Sequence, residues 1–265
     1  MNGIMLGQYV PGNTVLHRLD PRTKMGLVFA YMVVLFVARN FLGLAVLAVL
    51  GLAGVVLSRA PLRSLVNGLR PMLFILLLSF GLQAFFTPGQ VVWHWGVVHV
   101  TREGMQMAFL VATRLVLLIM ATSILTITTS PVALTDGIEY LLSPFVPLGV
   151  PAHELAMMMT IALRFIPTLY EELDRIMKAQ MARGADFTGG NILRRVRNMV
   201  PLLVPLFISS LRRADDLALA MEARAYRGGQ GRTRLRELSM ARRDWAFLTV
   251  GLAVMAVAVV LRWWP

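Results

Sequence analysis

Long apolar blocks alternate with short polar ones through the first half of this sequence. The run "FLGLAVLAVLGLAGVVLS" at residues 41–58 has no polar face at either helical or strand period, so a helix made from it belongs in lipid or in a very large core. Five blocks are predicted to cross a membrane: Pro21–Ala38, Phe41–Leu57, Pro71–Phe86, Met105–Ile127 and Trp245–Leu261. A helix from Pro21 to Ala38 rises about 27 Å, close to the roughly 30 Å of hydrocarbon. Asp20 can accept from the free amides of its first turn, Pro21 suits the first helical position, and Arg22 and Lys24 reach the inner surface. Arg39 and Asn40 make a tight outer turn; Arg59, Arg63 and Arg70 mark the return, with "RAPLRSLVNGLRP" lying along the interface. Trp93 and Trp95 are outer-interface anchors, while His94 and His99 lack a third ligand and read as loop or interfacial histidines. Arg114, inside the fourth block, must face protein, water or a partner; a part in transport and a structural pairing both stand open.

Residues 128–243 break this pattern with 16 basic and 11 acidic residues. "TSPVALTDGIEYLL" has a Ser130 cap and Pro131 at the first turn of a short amphipathic helix. After Pro144, Pro147 and Pro151, a long pattern follows in which Leu155, Met158, Ala162, Phe165, Leu169, Leu173, Ile176 and Gln180 share one face, with a kink expected at Pro167. Glu171 with Arg175 and Asp174 with Lys178 are spaced for ion pairs on its wetter half. "GADFTGGNILRRVRNM" reverses the chain, Pro201 and Pro205 start a second amphipathic stretch through Leu206, Ser210, Ala214, Leu217 and Met221, and Gly228, Gly229 and Gly231 stop it.

Composition narrows the function classes. The chain is 57% hydrophobic with a formal charge of +12, yet its bases are interleaved with acids or flank apolar spans, which is the positive-inside pattern and not a nucleic-acid footprint. Cysteine is absent, so disulfides, thiolate chemistry and cysteine metal sites are excluded. The first residues lack the basic and apolar regions of a cleaved signal, and a retained cytoplasmic N-terminus with five crossings puts the charged stretch inside and the C-terminus outside, where only Arg39, Arg102 and Arg262 are basic. With no Walker loop, no metal-ligand cluster and no acid, base and nucleophile set, the chain is expected to hold no catalytic residues, metal or cofactor of its own.

Two short echoes stand out. "MKAQMARGADF" and "LAMEARAYRGG" place arginines 41 residues apart, each with aspartate nine before (Asp174, Asp215), alanine four before (Ala179, Ala220) and alanine immediately before (Ala182, Ala223). One reading is a pair of helix caps, since an arginine there meets free carbonyls and the negative dipole end. The other is a pair of docking ends: small neighbours let the helix tip enter a groove and bring five planar donors to a carboxylate or to carbonyls.

At these residues the chain resembles the transmembrane coupling component, EcfT, of energy-coupling factor (ECF) type ABC transporters. "LDPRTK" (19–24), "TTSP" (128–131), "ALRFIP" (162–167), "AQMARGADF" (179–187) and "AMEARAYRG" (220–228) carry the resemblance over nearly the whole length. It implies an all-α membrane protein with about five transmembrane helices plus a cytosolic amphipathic coupling-helix region of two long helices and a shorter preceding one. The corresponding division is a membrane region at 1–127, a coupling region at 128–243 and a last transmembrane helix at 244–265. It further implies partners: two cytoplasmic ABC ATPases (EcfA and EcfA'), which bind ATP and magnesium, and one substrate-specific membrane S component that captures a vitamin or transition-metal ion in the bacterial plasma membrane. Ala182, Arg183 and Gly184 and then Ala223, Arg224 and Ala225 would dock on the ATPases, the second triplet carrying alanine where the family usually has glycine. Asp20, Pro21, Arg22, Thr129, Ser130 and Pro131 would be architectural; Arg164 beside Pro167 would support a bend or meet an adjacent helix. Met157, Met158 and Met159 would face the capture subunit or serve ordinary packing. The competing readings are an ABC import permease with its own substrate path, which needs one ATPase contact per copy, and a membrane scaffold without transport.

Overall fold

A computed structural model describes residues 9–95, 98–187, 189, 191–228 and 239–261. The start of the chain at 1–8, Gly229, Gly231 and Arg262 lie outside the described residues, as do the side chains of Trp93, His94, Trp95 and His99. In chain order the elements are α1 (Pro21–Val37), α2 (Phe41–Ser58), α3 (Leu62–Leu69), α4 (Leu73–Phe86), β1 (Val91–Trp95), β2 (Val98–Thr101), α5 (Arg102–Thr128), α6 (Pro131–Leu142), α7 (Ala152–Ala182), α8 (Ile192–Ala223) and α9 (Arg242–Val260). They form two compact units, one from Met5–Gly137 and Arg236–Pro265, the other centred on Ile138–Leu235. The breaks fall within α6 and after Leu235, where the charge pattern suggests 127/128 and 243/244.

The first unit is a bundle of α1, α2, α5 and α9 around Tyr31, Leu35, Leu44, Leu47, Leu110, Leu117 and Met255. The Tyr31 hydroxyl donates to the Leu47 carbonyl at 2.9 Å, which satisfies a polar group that lipid would leave unpaired. The Asp20 amide meets Asp244 at the start of α9, and Asn40 Nδ2 meets the Leu261 carbonyl beyond its end, so α1 and α9 run parallel. The end of α5 returns to the start of α1. The chain thus leaves this unit and re-enters it at the same end of the bundle, the order that five crossings produce.

Among the described residues, four stretches are long and apolar enough to cross a membrane: Phe41–Ser58, Arg63–Phe86, Arg102–Thr128 and Arg242–Val260. The first expected span, α1, has 17 residues and a polar first turn, so it is slightly shorter than those four while packing centrally among them. The segment expected to lie along the interface forms α3, which a 3-10 turn at Arg70–Met72 joins to α4, so that Arg63–Phe86 as a whole is long and apolar enough to cross. Arg114 has its explanation here. Its Nη2 donates to the Ala38 carbonyl at 2.8 Å, capping the C-terminal end of α1, and its guanidinium lies 5.9 Å from the Phe36 ring centroid.

Two expectations need correction. The segment after Thr87 carries no predicted strand, yet β1 and β2 form an antiparallel hairpin there, irregular between Val91 and Trp93. Valine, tryptophan and threonine on both sides of Gly96 supply the β-branched and aromatic content. Thr101 ties the hairpin to both neighbours, donating to the Thr87 carbonyl at 2.8 Å and accepting from Gly104 N at 3.0 Å as the cap of α5. Second, α8 begins at Ile192, and Pro201 and Pro205 lie inside it. Set four apart on one exposed side, they share a defect: Pro205 lacks the amide that the Pro201 carbonyl would have used.

Candidate functional site

The second unit is organised by α7 and α8, which cross antiparallel. Three contacts define the register: the Tyr226 hydroxyl to Met157 Sδ at 3.1 Å, Arg213 Nη2 to Glu172 Oε2 at 2.7 Å, and Asn198 Nδ2 to the Asp186 carbonyl at 2.6 Å. Each step forward along α7 is matched by a step back along α8. The inward side of α8 follows Leu202, Leu206, Ser209, Arg213, Leu217 and Met221, a near match to the expected stripe with Ser209 and Arg213 in place of Ser210 and Ala214. Glu172 is held below the usual carboxylate range chiefly by a hydrogen bond from Ser209, with Arg213 and Arg175 adding to this against the opposing effect of burial. Of the two pairs expected along α7, Asp174 and Lys178 form theirs at 2.5 Å, and Glu171 with Arg175 is not among the described ion pairs.

Both helices end in the same way. After α7, Ala185 N bonds the Gln180 carbonyl at 3.0 Å and Gly184 N bonds the Met181 carbonyl at 2.9 Å. After α8, Tyr226 N bonds the Met221 carbonyl at 3.0 Å and Ala225 N bonds the Glu222 carbonyl at 2.8 Å. Each pair is a Schellman motif, with Arg183 or Arg224 as the last half-helical residue and Gly184 (φ 86°) or Ala225 (φ 55°) in the left-handed position. Ala182 and Ala223 close the last turn. Both arginines are exposed, and among the described residues neither pairs with a carboxylate.

The offset of 41 that relates the arginines also relates Glu172 to Arg213, the residues that meet at the crossing. Equivalent positions therefore touch at the centre, as they do across a two-fold axis, with opposite charges where true symmetry would give like ones. Each arginine lies eleven residues beyond that contact, about 16 Å of helix rise, in opposite directions. Two matched tips flank one ion pair.

Within this unit the first half of α8 exposes Met199, Val200, Leu203, Val204, Phe207, Ile208 and Leu211, which repeat in steps of one and three and are about half exposed or more. With Leu202 and Leu206 facing inward, this half-helix is apolar on opposite faces, which demands lipid or another protein as cover. Met158 and Met159 are exposed on α7, whereas Met157 is partly covered and accepts from Tyr226. Arg164 and Pro167 are both exposed, and α7 continues through the proline. His153 Nδ1 lies 3.0 Å from Glu139 Oε1, joining α7 to the end of α6.

In the first unit the structure gathers the two architectural motifs into one buried joint. Lys24 Nζ donates to the Thr128 carbonyl at 3.0 Å, and to Thr129 Oγ1 and the His17 carbonyl at 3.4 Å each. Asp20 accepts from Arg22 N at 2.9 Å, Pro21 opens α1, and Ser130 Oγ accepts from Ala133 N at 3.3 Å behind Pro131. Asp244, 2% exposed, accepts from the Asp20 amide and the Ala241 amide at 2.8 Å each. Sequence alone does not single out Asp244, because an aspartate before an apolar run looks like any polar flank and its partner lies 224 residues away. Nor does it mark Glu172 and Arg213 as partners, although their spacing equals that of the repeat.

The described residues define an all-α membrane protein, a helical bundle with four stretches able to cross a membrane together with a charged two-helix unit whose two ends are matched. The profile of the CbiQ family, described as cobalt transport protein, matches residues 12–235. The energy-coupling factor transporter transmembrane protein EcfT of Acidaminococcus fermentans is 54% identical over 263 residues, 99% of this chain and 98% of that one. EcfT of Thermosediminibacter oceani is 57% identical over 253 residues, covering 95% and 96%, and EcfT of Bacillus subtilis 45% over 263 residues, covering 99% of each. The chain belongs to this family of energy-coupling factor transporter transmembrane proteins, and it is a membrane component of such a transporter.

Proposed function

We propose that this chain couples ATP-driven motion of two cytoplasmic ATPases to a separate membrane subunit that captures a vitamin or transition-metal ion. ATP and magnesium belong to the ATPases; this chain binds no cofactor and catalyses nothing. Arg183 and Arg224 seat in one ATPase each, and the pair is matched because the ATPases are alike. The observation that carries this reading is the equivalence of the two tips: one cap geometry, one residue type and one distance from the Glu172–Arg213 contact. When the ATPases close, two tips on opposite sides of one pivot are driven as a pair, and α7 and α8 turn about their crossing. The capture subunit rides on the surface that turns, which we assign to the exposed stripe from Met199 to Leu211 together with Met158 and Met159. In this arrangement the N-terminus is cytoplasmic and the C-terminus extracytoplasmic, a reading supported by α1 and α9 beginning at the same end of their bundle.

Charge reversal tests the docking. Arg183→Glu and Arg224→Glu should each lose the ATPase contact at a cost of about 2–5 kcal/mol, the usual loss for one partner of a desolvated pair. Pull-down of the ATPases from membranes and substrate uptake are the readouts, with membrane insertion unchanged. Normal assembly and uptake in both variants would remove the assignment.

A further inference from the structure

We propose that the membrane unit holds one anionic glycerophospholipid, with an acyl chain in a slot between α1, α2, α5 and α9 and the phosphate beside Arg59. The slot has a volume of about 300 Å³ and walls almost free of polar atoms, among them Leu27, Tyr31, Gly54, Ile124, Val250 and Gly251. It lies beside the contact of α2 with α9. Near one end α2 and α9 touch so closely that a Cβ on Gly43 would lie 3.0 Å from the Ala258 carbonyl oxygen. Toward the other end the slot opens between them, lined by Ala53 and Gly54 on α2 and by Val250 and Gly251 on α9. Leu57 and Val250, at 42% and 61% exposure, stand at its rim. A dry apolar void that opens sideways in a bilayer is filled by hydrocarbon, because water finds no partners there.

A second cavity adjoins the first through Leu57 and differs from it in character. It has a volume of about 680 Å³, lies between the segment at Val10–His17 and the turn after α2, and is partly polar. Thr14 and His17 on its wall bond each other at 2.7 Å, and His17 bonds the Val10 carbonyl at 3.0 Å, so those groups are already engaged. Arg59 is the cation that lines it. Arg59 also has φ 49°, a left-handed conformation that glycine would take without strain, at the C-cap of α2. An arginine standing in a left-handed conformation beside a polar cavity, where glycine would carry no strain, points to a use for its side chain. An apolar slot joined to a polar cavity with a cation is the outline of an amphiphile with an anionic head. A soluble phosphate leaves the slot empty, and a neutral lipid leaves Arg59 unanswered.

The test is native mass spectrometry of the full chain, reconstituted in vesicles of mixed phosphatidylethanolamine and phosphatidylglycerol and released into mild detergent. The expected result is one retained phosphatidylglycerol per chain. Gly54→Leu fills the slot and should strip it; Val250→Trp, at an exposed rim position where the fold does not depend on the side chain, should do the same. Arg59→Gln should keep a lipid but lower the preference for the anionic head about fivefold, the effect of one interfacial cation. The proposal is overturned by equal retention in the two slot variants, by an unchanged head preference in Arg59→Gln, by displacement with inorganic phosphate alone, or by a wild-type chain that retains none. A photocrosslinker at Ala53 that captures a partner subunit in the assembled transporter, where lipid is expected, would overturn it too.

Discussion

Two residues carry the same left-handed turn at different cost. Gly184 occupies it freely and has open space on every side where a Cβ would stand, so Gly184→Ala meets strain and no clash. The expected loss is about 1–2 kcal/mol in the last turn of α7, read as faster amide exchange from Gly184 and Ala185. Ala225 already bears that strain at φ 55°, so Ala225→Gly should slow exchange at the end of α8 or leave it unchanged, the relief being offset by the freedom glycine loses on folding. Of these details the sequence showed the arginines and their small neighbours. It did not show which backbone amides close the turn, since glycine and alanine in the same slot share no pattern. Asp244 has a larger effect. Removing its buried carboxylate takes away two charge-assisted bonds, and Asp244→Ala should cost about 3 kcal/mol, seen as a lower thermal midpoint in detergent.

Between elements, the crossing of α7 and α8 turns on one partly exposed ion pair. Because hydrogen bonding from Ser209 and the charge of Arg213 lower the Glu172 pKa in the folded chain, the stabilisation is present above the ordinary glutamate range and is lost as pH falls through the lowered value. Spin labels on α7 and α8 should therefore report at most a slight widening, confined to acid, because the Tyr226–Met157 and Asn198–Asp186 contacts remain. The pair is worth about 0–1 kcal/mol at this exposure. Exchange of the charges, Glu172→Arg with Arg213→Glu, should restore most of what either single change loses. Amphipathic spacing made α7 legible from Ala152 to its end, and it gave most of the inward side of α8. It failed at the start of α8, where two prolines argue for a boundary that tertiary packing of Leu202 and Leu206 overrides. It failed again at the hairpin, where a few valines and tryptophans between apolar helices are too short a run to stand apart.

At the scale of the molecule, the apolar blocks were enough to reveal the membrane bundle and the charged interval within it, because lipid permits little besides helices. What they left hidden was the handover between the two. "LDPRTK" and "TTSP" look like separate start signals; Lys24 makes them one joint, and Asp244 adds the final helix to it. That joint has a consequence for biosynthesis. The helix that clamps α1 is made after the other described helices, so the early helices must wait in the membrane, with the Asp20 amide unclaimed, until the whole charged unit has been translated. A message that stops before Arg236 should yield a chain that inserts and is then cleared by proteases, so quality control of the bundle doubles as a check that the two long helices have been made.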